Sequence, residues 1–179
     1  MEALNKMARI PYPEKDEVTE KVRKLTEPNN RLNILRMMSR AGNIADAFAT
    51  FAFEILAGGT LNPVLREMAI LRVGYLSGSD YEVFYHEDMI RRLKVGEDKI
   101  RAIREEINSP LLSETERLVL EITDQIVHHV KMDDRQFEKL HALLSQKDAM
   151  ELVMAISFYM MACRFLENYE IDLDDEKKQ

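Results

Sequence analysis

Three ionisable side chains stand at a spacing that can move a proton. In Tyr81-Glu82-Val83-Phe84-Tyr85-His86 a glutamate precedes a histidine by four residues, so a helix places both on one face and in contact. A carboxylate beside an imidazole tunes it for general acid or base work near neutral pH. The third group is Glu67, inside the apolar run Leu65-Arg66-Glu67-Met68-Ala69-Ile70-Leu71. A buried charge needs a cation, a hydrogen-bond network or a bound proton. Glu67 is therefore either half of a structural ion pair, with Arg66, Arg72 or another helix, or a member of the same acid–base pocket.

Two helices must position these groups. Pro63 opens the first, and residues 64–76 are apolar nearly all round, as in a central buried helix. On that wheel Glu67 shares a face with Val64, Leu71 and Gly74. Ser77-Gly78-Ser79-Asp80 then gives a turn and a cap for a second helix, expected to end at Gly96. Glu82 and His86 line up with Met89, Ile90 and Leu93, its apolar stripe, while Glu87, Asp88, Arg91 and Arg92 face solvent. Phe84 falls among those charges. An exposed large aromatic often marks a contact surface, here beside a proline-containing arm that can lie across a neighbour.

The remaining chain of 179 residues reads as all-α. Residues 1–30 form a polar arm interrupted by Pro11, Pro13 and Pro28, expected to lie across a neighbour or stay mobile. A helical domain follows over 31–171, then a charged, frayed tail at 172–179. Helices are expected near Asn30 to Gly42, Ile44 to Ala57, Glu97 to Glu106, Ser113 to Val130, Asp134 to Leu144 and, capped by Asp148, to Asn168. Ser113-Glu114-Thr115-Glu116 has the form of a capping box.

Composition excludes several functions. With 25 Lys+Arg against 32 Asp+Glu the net charge is −7, which gives no footprint for nucleic acid or an anionic membrane. One cysteine, Cys163, allows neither an internal disulfide nor a CxxC redox pair. No signal-peptide run opens the chain, and the apolar stretch Leu152 to Cys163 is shorter than the ~20 residues of a membrane helix. The expected location is cytoplasmic.

The segment Leu61-Asn62-Pro63-Val64-Leu65-Arg66-Glu67 through Tyr81-Glu82-Val83-Phe84-Tyr85-His86 to Gly96 resembles the core block of the carboxymuconolactone decarboxylase and alkylhydroperoxidase-D-like family. The resemblance extends over about Leu32 to Ile171 and implies a helical bundle of that type; with Phe84 and the arm, the family's habit of oligomerising implies a homo-oligomer, a two-fold dimer or a hexamer of dimers. In the peroxidase branch a helix Glu is followed by Cys-x-x-Cys-x-x-x-His. Counted from Glu67, the thiol positions fall on Ser79 and Glu82, and the histidine on His86. The spacing is kept and the thiols are gone. Glu82-x-x-x-His86 is similar to the decarboxylase branch, which also has a Glu four residues before its His.

Peroxide reduction by this fold needs an attacking thiolate and a resolving thiol, which Ser79 and Glu82 do not supply. Cys163, in an apolar helix, is expected to be inert. The resemblance thus implies a decarboxylase- or isomerase-like enzyme acting on a carboxylated or lactone substrate. His86 would deliver the proton, with Glu67 or Glu82 holding its tautomer. Ser79 and Tyr81 would donate hydrogen bonds, and Arg66 or Arg72 would hold a carboxylate. Tyr159 and Asn168 are expected to line the same cavity. No cofactor is expected. Glu67, Glu82 and His86 as metal ligands is the weaker alternative, and the branch peroxidase or a non-catalytic oligomeric binding protein are the other functions open to this sequence.

Overall fold

Asn62 begins the element on which the site depends. Its Oδ1 accepts from the backbone N–H of Val64 at 2.8 Å, and Pro63 occupies the first turn, where a missing N–H is harmless. In the computed structural model, which describes residues 8–27 and 32–174, this helix runs Pro63–Ser77. Numbered in chain order, the α-helices among the described residues are α1 (Glu20–Thr26), α2 (Asn33–Met38), α3 (Asn43–Phe53), α4 (Pro63–Ser77), α5 (Asp80–Arg92), α6 (Glu97–Glu105), α7 (Glu114–His129), α8 (Asp134–Leu143) and α9 (Gln146–Tyr169). A 3₁₀ turn follows α2 and a π turn follows α3. The all-α expectation holds.

The chain divides into two compact units, one of residues 55–164 and one of residues 1–54 with 165–179. In the first, α4 packs on α5, α6 and α7, and α8 packs on α7. Met68, Leu71, Ile90, Ile103 and Leu120 form its centre, all without exposed surface. Gly74 lies where α4 and α5 meet: a Cβ there would press on Val83 Cγ2 at 3.3 Å and stand in ordinary contact with Glu82 Cβ at 3.5 Å. Glu151 of α9 fixes the entry to α4, its Oε2 accepting from the N–H groups of Thr60 and Leu61 at 2.8 Å each.

In the second unit α1, α2 and α3 pack on one another. The described part of the arm is docked there: Arg40 donates to the carbonyls of Pro11 and Tyr12, and Arg36 lies over the Tyr12 ring at 4.7 Å. The start of the tail is anchored rather than frayed. Asp172 accepts from Tyr12 Oη, and buried Asp174 accepts from the N–H groups of Leu32 and Asn33 at 2.7 and 2.9 Å. Those two bonds hold Leu32 in a left-handed conformation, φ +61°, at the start of α2. The frayed tail expected beyond Asp174, like Met1 to Met7 and residues 28–31, lies outside the described residues.

Helix ends differ from the sequence expectation in three places. The second site helix stops at Arg92 because Lys94, not Gly96, takes the left-handed turn at φ +66°. Ser145, not Asp148, caps α9: its Oγ accepts from the Asp148 N–H, and Asp148 returns the bond as acceptor for that hydroxyl. Phe84 is half-buried edge-on against Tyr85, at 5.5 Å, rather than exposed. The capping box on α7 is complete, with both the Ser113 and Glu116 bonds formed. The 24-residue α9 is long and apolar enough by composition to cross a membrane, and half of its apolar window is buried inside the protein.

Candidate active site

Glu67, Glu82 and His86 form one cluster. His86 Nδ1 lies 2.6 Å from Glu67 Oε2, and its Nε2 lies 3.3 Å from Glu82 Oε2. The two bonds differ in origin. Glu82 and His86 meet along α5 at i,i+4, whereas Glu67 reaches His86 across the α4–α5 contact. All three are buried, Glu67 at 1% exposure and His86 at 4%. The imidazole therefore sits between two carboxylates away from bulk water.

That position sets its charge. Burial pushes the His86 pKa down, but hydrogen bonding to Glu67 and Glu82 and their negative charge outweigh it, raising the pKa to about 9. A pKa of about 9 favours the doubly protonated ring at pH 7, in which both nitrogens would donate. The short contact to Glu67 secures the Nδ1 proton. The contact of Nε2 to Glu82 is the longer of the two.

Tyr159 on α9 completes the group. Its ring stands edge-on to His86, centroids 4.8 Å apart, and burial, then the charges of Glu82 and Glu67, push its phenol well above the ordinary range. It stays a neutral hydroxyl. Arg66 joins through Glu67, whose Oε1 accepts from the Arg66 Nε at 3.2 Å. One carboxylate thus holds a guanidinium on one oxygen and an imidazolium on the other.

The other sequence candidates separate clearly. Ser79 is fully buried at the N-terminal end of α5, one turn before Glu82, and its Oγ has no hydrogen-bond partner among the described residues. Tyr81 is buried and stacks on Tyr85 at 4.8 Å. Arg72 is committed elsewhere: it grips Asp124 of α7 with two bonds and caps the α6 carbonyls of Ile103 and Arg104. Asn168 belongs to the other compact unit, exposed, with its carbonyl accepting from Arg9. Cys163 is buried at 1% exposure. Among the described residues no cluster of His, Cys, Asp and Glu has the arrangement of a metal site. Sequence reasoning missed Glu151; the bonds it accepts from Thr60 and Leu61 are tertiary and leave no local signal.

Residues 43–125 match the model of the carboxymuconolactone decarboxylase family. No curated protein matches the chain. Among solved structures, the chain is similar to an alkylhydroperoxidase AhpD core protein, uncharacterized and peroxidase-related, from Ralstonia eutropha JMP134, with TM-score 0.81, 16% identity and coverage of 96% of this chain and 94% of that one. It is similar to a peroxidase-related protein from Silicibacter sp. TM1040, with TM-score 0.71, 16% identity and 80% and 76% coverage. It is also similar to a variant of the debrominase Bmp8 in complex with 2,3,4-tribromopyrrole, with TM-score 0.76, 19% identity and 95% and 94% coverage. At these identities the likeness shows the fold.

Proposed function

For a chain with the AhpD-like helical fold, a carboxymuconolactone decarboxylase-family match over residues 43–125 and no cysteine pair, we propose that the site is a proton-transfer enzyme centre with His86 as its general acid. The observation that carries this reading is the buried imidazole held between the carboxylates of Glu67 and Glu82. A decarboxylase- or isomerase-like reaction leaves a carbanion or dienolate that must be protonated. The His86 Nε2 proton is the one free to go there. Glu67 keeps Nδ1 protonated throughout, and Glu82 holds the Nε2 side in line until the substrate displaces it. The substrate class is a small carboxylated compound or a lactone.

The test is an NMR titration of the His86 ring. The expected midpoint is near pH 9; a ring already neutral at pH 7 would remove the acid and the proposal with it. Stability follows the same proton. Because the folded pKa is raised above the ordinary value of 6.5, the stabilisation is fully present below pH 6.5 and is lost as pH rises through about 9. The melting temperature should fall across that window, and the fall should be absent in His86→Ala.

A second reading, hydroperoxide reduction, is favoured by the two neighbours described as peroxidase-related. In this chain it would have to run through Cys163, which burial makes a poor nucleophile. Cys163→Ser should keep any native turnover within about three-fold, with a stability change of about 1 kcal/mol. Robust peroxide turnover by the unmodified protein that disappears in Cys163→Ser would instead establish the antioxidant reading.

Self-association as a two-fold dimer or hexamer remains part of the proposal, moved to another surface. Phe84 is half-buried, whereas Met150, Met154 and Met161 of α9 stand 64%, 47% and 45% exposed on one stripe. Sedimentation of a 20.9 kDa monomer at micromolar concentration would refute it.

A further inference from the structure

Arg66 is a buried guanidinium with most of its donors unused. Its side chain is 10% exposed, its Nε donates to Glu67, and among the described residues neither terminal amino group has an acceptor. Arg72, six residues on, shows the contrast: it donates four hydrogen bonds, to Asp124 and two carbonyls. Neither amino group of Arg66 is among the buried polar atoms that lack a partner, so both keep contact with solvent and stay open to an acceptor that arrives from it. Two hydroxyls also have no hydrogen bond among the described residues: Ser79 Oγ, which is sealed from solvent, and Tyr159 Oη, which is not, although its residue is 5% exposed.

The geometry ties these donors to the acid. Glu67 holds Arg66 on Oε1 and His86 on Oε2, so the guanidinium and the imidazolium flank a single carboxylate. The Tyr159 ring stands edge-on to that imidazole, and its phenol, pushed up by burial and by the charges of Glu82 and Glu67, also feels the opposing charge of Arg66. We propose that Arg66 is the ligand-reading residue of the site, its two terminal amino groups receiving one carboxylate of a small monocarboxylate substrate beside the Tyr159 hydroxyl. A fork of parallel N–H groups matches the two oxygens of a carboxylate and not the single carbonyl of a lactone. With Arg72 committed to Asp124, the cluster offers one such seat, and Glu67 and Glu82 repel a second carboxylate. The inference rests on the proton-transfer reading in placing the ligand beside His86.

Calorimetric titration with acetate, benzoate, neutral benzamide and dianionic phthalate tests it, on the wild type, Arg66→Gln and Arg66→Lys. Benzoate or acetate should bind the wild type, and both benzamide and phthalate should bind at least about ten-fold more weakly than benzoate. Arg66→Gln should lower monocarboxylate affinity by about 10- to 100-fold, the range for losing a charged hydrogen-bond pair. Should the Gln variant fold poorly, Arg66→Lys keeps a cation for Glu67 and removes the fork, so it should melt like the wild type and lose preference for benzoate over benzamide. Failure of both monocarboxylates to bind the wild type, equal affinity for benzamide, stronger binding of phthalate, or undiminished binding in a folded Arg66 variant would each overturn the proposal. The two readings fail separately. Benzoate binding through Arg66 with a neutral His86 ring at pH 7 would discard the acid and keep the seat; a charged ring with no Arg66 dependence would do the reverse.

Discussion

His86→Ala should reduce turnover by about 10²–10⁴-fold, the range expected when a positioned general acid is lost. The measurement uses the lactone or carboxylated compound that a thermal-shift screen returns. Stability will fall as well, because Glu67 and Glu82 would then share a buried space without the imidazolium that separates their charges. Activity loss alone is therefore ambiguous, and Glu67→Gln resolves it. That change keeps the side-chain shape and removes the charge across the 2.6 Å contact. With one of its two upward influences gone, burial carries the His86 pKa down, and the alkaline limb of the rate profile should move to lower pH. Glu82→Gln should shift it less, since its contact is longer at 3.3 Å. A lowered melting point with an unmoved pH profile and intact turnover would show that the three residues only hold the fold together.

The parts of this site that lie along one helix were legible in the sequence. An i,i+4 Glu–His pair on the apolar face of α5 follows from helix geometry alone, and the structure places both residues inward as the wheel requires. The wheel of α4 likewise turned Glu67 inward beside Gly74. The wheels could not supply the bond between Glu67 and His86, which are 19 residues apart, because it exists only where α4 and α5 cross. Short-range chemistry also decided the errors. Asp148 and Ser145 are both good caps, and only their reciprocal bond shows which begins α9. The anchored start of the tail depends on Asp174 meeting Leu32 and Asn33, 142 and 141 residues away in sequence. Phe84 was misplaced because a wheel takes a charged face to be bare, whereas Tyr85 covers that ring.

Arg66 and Arg72 show the same limit and carry the second large expected effect. Both sit on α4, and sequence left them equal candidates to hold a substrate carboxylate. The structure makes Arg72 a joint of three helices, with Nε and Nη2 at 2.7 and 2.8 Å from the Asp124 carboxylate and Nη1 at 2.9 and 2.8 Å from two α6 carbonyls. Arg72→Ala should therefore cost about 3 kcal/mol, since it strands a partly buried carboxylate and uncaps α6 together. The figure stands at the low end for a broken pair because Asp124 is 24% exposed and water can reach it. The double change Arg72→Met with Asp124→Leu should recover most of the α4–α7 part, because two apolar side chains leave no unmatched charge. It should not recover the α6 cap, which needs donors. Chemical denaturation of the single and double variants separates these contributions. Equal losses in Arg72→Ala and the double variant would mean that the α6 cap, and not the ion pair, is what Arg72 contributes. Throughout, monocarboxylate binding should stay within a few-fold of the wild type under conditions where the variant is folded, because the ligand-reading role falls to Arg66.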